Sequence, residues 1–449
     1  MGGVALVSLL SLATLPSPLT LDDALSMAAK RNAELEVARS DRDVADAEVR
    51  LSYQGILPRL DLNGSFGYQW EGEQNQVQVV QNVPPPPPFV RETVLYGANS
   101  FPQYQLGLNF SWTVFDGLSS WNLIASSRAK SAAASHQYDE DSLRVAFEVT
   151  RRFYDVVKQQ RALQVRKDAA ALSEELVGRA DALFPAGRGT KADTYNARVN
   201  LGNDRIAVQV QSAALVRARA DLAVVLGLPS DAGLEVVAPG PVAGPGLPPL
   251  DEPPPLADAL AKALKARPLL SAQRLSTQAA ELDIARVQGE YWPNVSLQAS
   301  YTKSTPELGT HYGLFVPGTQ YTAVAQVVLA WNLYAGGETR ANVEKAEAQA
   351  RRARALQEQA QQRVSYEVTS TREQVVALVA SVATAQEMLD AADKGLRFAR
   401  DKLEAGVGSQ LEVRDATLKL AQARLTVVGA VVDLVVARAD LNRAMGGTL

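Results

Sequence analysis

Residue types that do covalent or metal chemistry are scarce in this chain. Its 449 residues contain no cysteine, so no disulfide, thiolate metal site, cysteine nucleophile or lipidated cysteine can be built from them. The two histidines, His136 and His311, lie far apart, and neither has a second ligand at metal-binding spacing. Neither G-x-S-x-G nor H-E-x-x-H occurs. Gly187-Arg188-Gly189-Thr190-Lys191 has the glycines and lysine of a phosphate loop. It lacks the four-residue spacer and the Gly-Lys-Ser/Thr order, and it follows a helical pattern rather than a strand. The expectation is no catalysis, no cofactor and no metal. A net charge of −4, from 45 Lys+Arg against 49 Asp+Glu, also argues against a nucleic-acid partner, which selects for a positive surface.

What remains is passage and surface chemistry, and the elements must say which. Apolar residues make up 47% of the chain and charged residues 21%, a globular rather than a disordered composition. Residues Val4 to Leu15 form a short apolar stretch, too short to cross a bilayer but long enough for a signal-peptide core. Residues 1–13 are therefore expected to be a leader remnant with cleavage after Ala13. No later run of 18 apolar residues occurs, so membrane passage is expected to use strands.

The chain repeats itself. Under a shift of 235, Leu21, Asp23, Ala24, Leu25, Pro58 and Leu62 fall on Leu256, Asp258, Ala259, Leu260, Pro293 and Leu297. Under a shift of 219, Trp112, Gly117, Glu148, Gly187, Gly189 and Gly227 fall on Trp331, Gly336, Glu367, Gly406, Gly408 and Gly446. The difference of 16 residues (235 − 219) lies between the two blocks. There the first copy carries an insertion with Pro84 to Pro88, expected to be a stiff solvated loop. The expected domains are a first repeat over 20–227, a Pro-rich linker over 228–255 and a second repeat over 256–449.

Each copy reads helix, two strands, a very long helix, a turn and a returning helix. The strands are expected at 59–70 and 104–115, then at 294–302 and 321–334. In the first, Leu60, Leu62, Phe66, Tyr68 and Trp70 alternate with Asp61, Asn63, Ser65, Gln69 and Glu71. Such alternation fits lipid-spanning barrel strands, and equally a soluble sheet packed on helices. The long helices are expected at 117–184 and 337–404, each about 100 Å at about 1.5 Å per residue, and the returning ones at 190–226 and 409–445. Val364, Val368, Thr371, Val375, Leu378, Val382, Ala385, Leu389, Ala392, Leu396, Ala399 and Leu403 step by 4 and 3, a coiled-coil seam. Leu411, Leu418, Ala421, Leu425, Val428, Val432 and Val435 are expected to continue it. The first copy puts Arg152, Gln159 and Arg166 on the equivalent seam, so its packing must differ.

Four strands cannot close a membrane barrel, whose smallest examples have about eight. An open edge cannot face lipid either. A cyclic trimer supplies twelve strands around a water-filled lumen. The expected fold is mainly α with membrane β: a trimeric 12-strand β-barrel, four strands per chain, on a long α-helical coiled-coil barrel.

These residues resemble the TolC-like outer-membrane efflux family. The resemblance rests on Leu21-Asp22-Asp23-Ala24-Leu25, and on Leu57-Pro58 and Trp292-Pro293 before strands. It rests also on Phe115-Asp116-Gly117 and Tyr334-Ala335-Gly336-Gly337 after strands. Ala186-Gly187-Arg188-Gly189-Thr190 and Ala405-Gly406-Val407-Gly408-Ser409 supply the tip turns. The departures are a missing proline after Asn32, where the second copy has Pro268, and the absence of a lipobox cysteine.

The resemblance implies an outer-membrane protein extending into the periplasm, a homotrimeric exit duct with an equatorial collar built from the linker and terminal segments. Its implied partners are outer-membrane lipid, a periplasmic adaptor and an inner-membrane transporter, of the RND type first and the ABC type second. By position it makes Asp193, Glu412 and Asp415 the aperture carboxylates. Adaptor contact falls on Gly187, Arg188, Gly189, Thr190, Gly406, Val407, Gly408 and Ser409. An acid in a helix's first turn is equally a partner of its cap, here Thr190 and Ser409. The competing functions are an ABC-linked type I secretion channel, a non-conducting coiled-coil envelope spacer and a soluble coiled-coil interaction protein.

Overall fold

The structure, a computed structural model, describes residues 18–81, 89–186, 190–237, 251–306, 308, 314–315, 317 and 321–447. The expected leader, Pro84 to Pro88, Gly187, Arg188, Gly189, His311 and linker residues 238–250 lie outside them. In chain order the elements are α1 (Leu21–Arg31), α2 (Ala33–Ser52), β1 (Arg59–Glu71), β2 (Gln74–Gln81), β3 (Phe89–Tyr96) and β4 (Asn99–Phe115). There follow α3 (Ser119–Leu183), α4 (Lys191–Val225), α5 (Leu256–Ala266), α6 (Pro268–Gln288), β5 (Asn294–Thr305), β6 (Tyr321–Ala330), α7 (Glu338–Glu404) and α8 (Gln410–Ala444). Contacts divide the chain into two units.

The strand unit comprises Ala45–Ser131 and Thr277–Ala353. Its antiparallel sheet has the order β1-β4-β5-β6, leaving β1 and β6 as edges. Leu60 faces Phe110, and Leu62 faces Leu108; Phe110 faces Ala299, and Leu297 faces Val327. One apolar face therefore runs across all four strands. The foot of the sheet is tied by two indoles at positions related by the 219 shift. Trp112 Nε1 donates to the carbonyl of Ile56 at 2.9 Å, and Trp331 Nε1 to that of Tyr291 at 3.1 Å.

Two strand expectations need correction. The last strand ends at Ala330 rather than at 334, where Trp331 turns its indole to that carbonyl. Part of the first copy's insertion is a hairpin, β2 paired with β3 from Gln74↔Tyr96 to Gln81↔Phe89. Its alternation of Val77 and Val79 with glutamines was masked by the neighbouring prolines.

The turn from β4 into α3 carries backbone strain. Gly117 and Leu118 both lie in the left-handed region, at φ 66° and 68°. A Cβ on Gly117 would collide with the carbonyl oxygen of Gly289 and lie 2.8 Å from Trp292 Cβ, so glycine is required there. Leu118 has no such excuse, and a bulky residue in this region costs about 1–2 kcal/mol. The position related by the 219 shift is Gly337, at φ 89°.

The helical unit takes the residues up to Val44, Ala132–Ser276 and those from Arg354. Val364, Val368, Val375, Val382 and Ala385 of α7 meet Val427, Val428, Val431, Val432 and Leu434 of α8 in its core. By length and composition α7 and α8 are apolar enough to cross a membrane, with best windows at mean hydropathy 1.4 and 1.7. Here these side chains form a helix-packing core. The expected seam of α8 shifts at its start, because Leu411 and Leu418 are exposed while Val413, Thr417 and Leu420 are buried. In α3 the seam moves off the polar positions, to Val145, Val149, Phe153, Val156 and Val157. Arg152 instead pairs with Glu148 and Asp221, and Gln159 accepts from Gln211 at 2.7 Å. The described start of the linker pairs with the N-terminal segment, Leu19 bridging Val236 in parallel.

The helix breaks after α1 and α5 show how one backbone course is held by two chemistries. Arg267 is extended (φ −69°, ψ 119°), as a residue before proline must be. In the first copy Asn32 adopts the same course (φ −66°, ψ 127°) without a proline. Its carboxamide oxygen accepts from the amides of Glu34 and Leu35 and so starts α2, while its Nδ2 donates to the carbonyl of Val225 at 2.8 Å. Arg267 donates to the carbonyls of Arg443 and Ala444, at 3.3 and 3.1 Å. Each side chain thus closes the C-terminus of a returning helix, where orphan carbonyls need donors.

Arg267 is 2% exposed and also holds Glu140 through two nitrogens and Glu367 at 3.1 Å. Burial opposes its charge, but these carboxylates outweigh that and raise its pKa above the ordinary arginine value. Arg267→Ala leaves Glu140 largely buried without its partner, so a loss of about 3–5 kcal/mol is expected. Asn32→Ala removes neutral bonds only, for about 1–2 kcal/mol. Thermal unfolding of the two variants in detergent, followed by circular dichroism, checks the ranking.

Candidate functional site

The turn joining α7 to α8 is closed by backbone bonds. The amides of Val407 and Gly408 donate to the carbonyl of Lys402 at 3.1 and 3.0 Å, and that of Gly406 to Leu403 at 3.2 Å. Ser409 then caps α8, its hydroxyl accepting from the Glu412 amide at 3.2 Å. At the matching start of α4, Thr190 and Asp193 form a full capping box. Asp193 Oδ2 accepts from the Thr190 amide and hydroxyl, at 2.9 and 2.7 Å. The Asp193 amide donates back to the Thr190 hydroxyl at 3.1 Å.

The three expected aperture carboxylates therefore sit in three settings. Asp193 is engaged with its cap, and the Thr190 hydroxyl and then its amide hold the carboxyl below its ordinary value of 3.8. The Glu412 carboxylate lies 3.8 Å from Lys402 Nζ. Asp415 pairs with Lys419 one turn on, at 2.6 Å. All three are exposed, in helix first or second turns, and none is brought against another within the chain. The Lys402–Glu412 and Lys419–Asp415 pairs are exposed and contribute little to stability, about 0–1 kcal/mol each.

Between them lies a cluster that sequence reasoning missed. Arg414 of α8 makes a bidentate bridge to Asp204 of α4, Nη1 to Oδ2 at 2.5 Å and Nη2 to Oδ1 at 3.0 Å. Ser173 of α3 completes it, its hydroxyl donating to Asp204 Oδ2 at 2.5 Å and accepting from Arg414 Nη1 at 2.8 Å. The arginine side chain is 10% exposed and the aspartate's 12%. One guanidinium thus fastens α8 to both α3 and α4. Arg414 Nε has no hydrogen-bond partner among the described residues. A groove of about 160 Å³ opens beside this clasp, lined by Asp193, Asn196, Asn200, Gln410 and Arg414. A signal did exist: Thr194, Ala197, Leu201 and Asp204 are buried on α4 at 3- and 4-residue steps, and an acid on such a stripe needs a partner.

Two predictions follow from this geometry. Arg414→Ala is expected to cost about 3–5 kcal/mol, because Asp204 is left buried and unpaired, and the double change Arg414→Leu with Asp204→Leu much less. Thermal unfolding of the single and double variants separates the two. For Asp193 the folded pKa is depressed, so its contribution is complete above pH 3.8 and is lost as pH falls through the lower folded value. Amide exchange at the start of α4 should be fast in Thr190→Ala and Asp193→Asn at neutral pH, and slow in the parent.

The sequence model of the outer membrane efflux protein family matches residues 24–228 and 259–447. The outer membrane efflux protein BepC of Brucella suis biovar 1 (strain 1330) is 24% identical over 427 residues, 95% of this chain and 85% of BepC. Among solved structures, a membrane protein from Pseudomonas aeruginosa superposes with TM-score 0.77 at 20% identity, over 95% of this chain and 92% of its own. The open-state MtrE outer membrane channel of Neisseria gonorrhoeae gives 0.75 at 18% identity, over 95% and 89%. At these identities the superpositions speak to fold. The family match covers most of the chain, and with the open sheet and the long paired helices it leads to one conclusion: this protein belongs to the outer membrane efflux protein family, channels of the outer membrane that reach into the periplasm and are not enzymes.

Proposed function

We propose that the chain is one third of a passive exit duct. Three copies close a 12-strand barrel in the outer membrane and continue it as an α-helical tube across the periplasm. The observation that carries this reading is the pair of open sheet edges, β1 and β6, on a sheet whose outer face exposes Leu62 at 68% and Val327 at 70%. Hydrocarbon around that face forbids unpaired edges, each orphan group costing several kcal/mol, and a threefold ring pairs β1 with β6 of the next copy. A second apolar face supports it: Tyr195, Val199, Ile206 and Val210 of α4 are exposed at 4-, 7- and 4-residue steps, a seam for another copy's helix. The two matches to the family, one per half, accord with a tandem duplication that makes the ring quasi-sixfold.

In this assembly the tip turns form the periplasmic aperture. Asp193, Glu412 and Asp415 present three copies each, a narrowing ring of like charge that favours cations. The turns, with Thr190, Gly406, Val407, Gly408 and Ser409, offer the docking surface for a periplasmic adaptor. An RND-type inner-membrane pump energises the system, with an ABC-linked secretion channel as the second reading. Gly187, Arg188 and Gly189 belong to the same surface by sequence. No cofactor is required.

Single-channel recording in planar bilayers tests the reading, with the mass of the detergent-solubilised complex measured alongside. A trimer with unitary current steps is expected. Glu412→Ala and Asp415→Ala should raise conductance, or weaken block by multivalent cations, on the order of two-fold. A trimer that never conducts would make the protein a spacer, and unchanged block in both variants would remove the carboxylates from the aperture.

A further inference from the structure

Near the sheet, α3 has a neighbour on each side. On one side Ser131 donates to Asp46 of α2 at 2.5 Å. On the other, Ser126 donates to the Ala279 carbonyl and the Asp283 carboxylate of α6, at 3.2 and 2.9 Å. Lys130 reaches the same carboxylate at 2.9 Å. The counterpart of α3 under the shift of 219 is α7, and that of α6 under the shift of 235 is α2. A second α2 is therefore needed to flank α7, and the chain's own already lies on α3.

The two faces this leaves without a partner are both open. On α3, Ser126 and Ala129 are 0% and 7% exposed, whereas the matching Lys345 and Ala348 of α7 are exposed. On α6, Ala272 and Ala279 are 3% and 1% exposed, whereas the matching Val37 and Val44 of α2 stand at 62% and 58%.

The repeat also sets the register. Ser126 meets Asp283, so Lys345 falls opposite Glu48. The helices run antiparallel, and a step of seven residues along one is matched by seven back along the other. Arg352 then falls opposite Asp41, and four residues on, Leu356, itself exposed, falls opposite Val37. Two of these pairs are opposite charges and the third is apolar. Glu48, Lys345, Asp41 and Arg352 are all exposed, and none has an ion-pair partner among the described residues. A slip of one residue would set Lys345 against Ala47 or Val49, and Arg352 against Ser40 or Arg42. Charge complementarity over two turns thus names the occupant of each face: the other face, on a second copy.

Side-chain size decides the spacing. A serine hydroxyl on a neighbour's backbone carbonyl requires close approach, and lysine at the same place cannot repeat it. Glu48 likewise replaces Asp283, Val44 replaces Ala279 and Arg352 replaces Ala133. Larger side chains at the contact hold helix axes further apart.

We propose that α2 of one copy docks along α7 of the next, through the ion pairs Glu48–Lys345 and Asp41–Arg352, with the helices further apart there than α3 and α6 within a chain. This rests on the reading of the chain as one third of a ring. The ring then alternates three close joints with three wide ones, and the wide ones respond to salt because their charges are exposed.

Charge reversal in the full protein tests the pairing. Dissociation of the oligomer is followed on gels in mild SDS as temperature rises, with the mass of the parent in detergent measured alongside. Glu48→Lys and Lys345→Glu are each expected to lower the dissociation temperature by several degrees, and the two together to recover most of the loss. Losses that simply add in the double variant would overturn the pairing. The cysteine-free chain allows a second reading, by linkage. Asp41→Cys with Arg352→Cys, treated with a short bismaleimide, should give covalent dimers and trimers. Links confined to single chains, or none in a protein of trimer mass, would overturn the docking and leave the ring standing. A parent of monomer mass would remove the ring itself. Glu48→Cys with Lys345→Cys is expected to join through the linker but not by direct oxidation. A direct disulfide, which needs Cα atoms within about 7 Å, would overturn the wider spacing.

Discussion

A β-strand edge cannot be left open in hydrocarbon. On the proposed reading, that constraint governs this chain more than any side chain does. Its four-stranded sheet has an apolar face and two free edges, and no rearrangement of four strands closes a barrel of the required girth. The rest of the molecule can be read as the consequence. Helices of 65 and 67 residues are costly to hold singly in water, and they find their core by pairing with the returning helices. The apolar faces they leave exposed on α4 are of the kind that a ring of copies consumes.

Within that frame the two halves keep one backbone and diverge in chemistry. Asn32 and Arg267 stand at matching breaks and both cap a returning helix, but one works through neutral amide bonds and the other through a buried guanidinium among carboxylates. Gly227 and Gly446 both take positive φ against the ends of α1 and α5, because no side chain fits there. Where the backbone is squeezed, the halves agree. Where a side chain reaches outward, as at Leu118 and Gly337, they part. In the proposed threefold assembly, outward positions are where the two quasi-equivalent faces would differ.

Much of this was legible in the sequence because it depends on period and repetition. The alternation in Leu60–Trp70 and the 4–3 steps of Val364–Leu403 are local signals, and both appear in the folded elements. The cap of α4 was visible as Thr190 and Asp193 three residues apart. Less legible was anything that depends on which helix lies opposite. Arg414 and Asp204 are 210 residues apart, and each looks like a solvated charge in its own window. Leu411 and Leu418 extend the apolar period into α8, yet they are exposed because the helix rolls to bury Arg414 and Thr417. The hairpin β2–β3 was hidden for another reason: proline and glutamine mask a short valine alternation that only its partner strand makes recognisable.

On the proposed reading, that roll of α8 bears on how the tip would move. Four connections hold α8 there. To α3 and α4 it is fastened by the buried Arg414–Asp204–Ser173 clasp, whose rupture leaves a charge unpaired at about 3–5 kcal/mol. To α7 it is joined by the closed turn at 402–409, and otherwise by an apolar patch (Leu396, Ala399, Val413, Leu420) that Leu176 of α3 also enters and the loose Lys402–Glu412 pair. Apolar patches slide without leaving a charge behind, and an exposed pair at 3.8 Å is worth about 0–1 kcal/mol. The weaker coupling is therefore along the α7–α8 contact, and the cheaper displacement keeps α3, α4 and α8 together while α7 shifts against them. The three carboxylates then travel with the clasped group, because Asp193 is on α4 and both Glu412 and Asp415 are on α8. Any widening would change the spacing between copies of the ring more than the spacing within one.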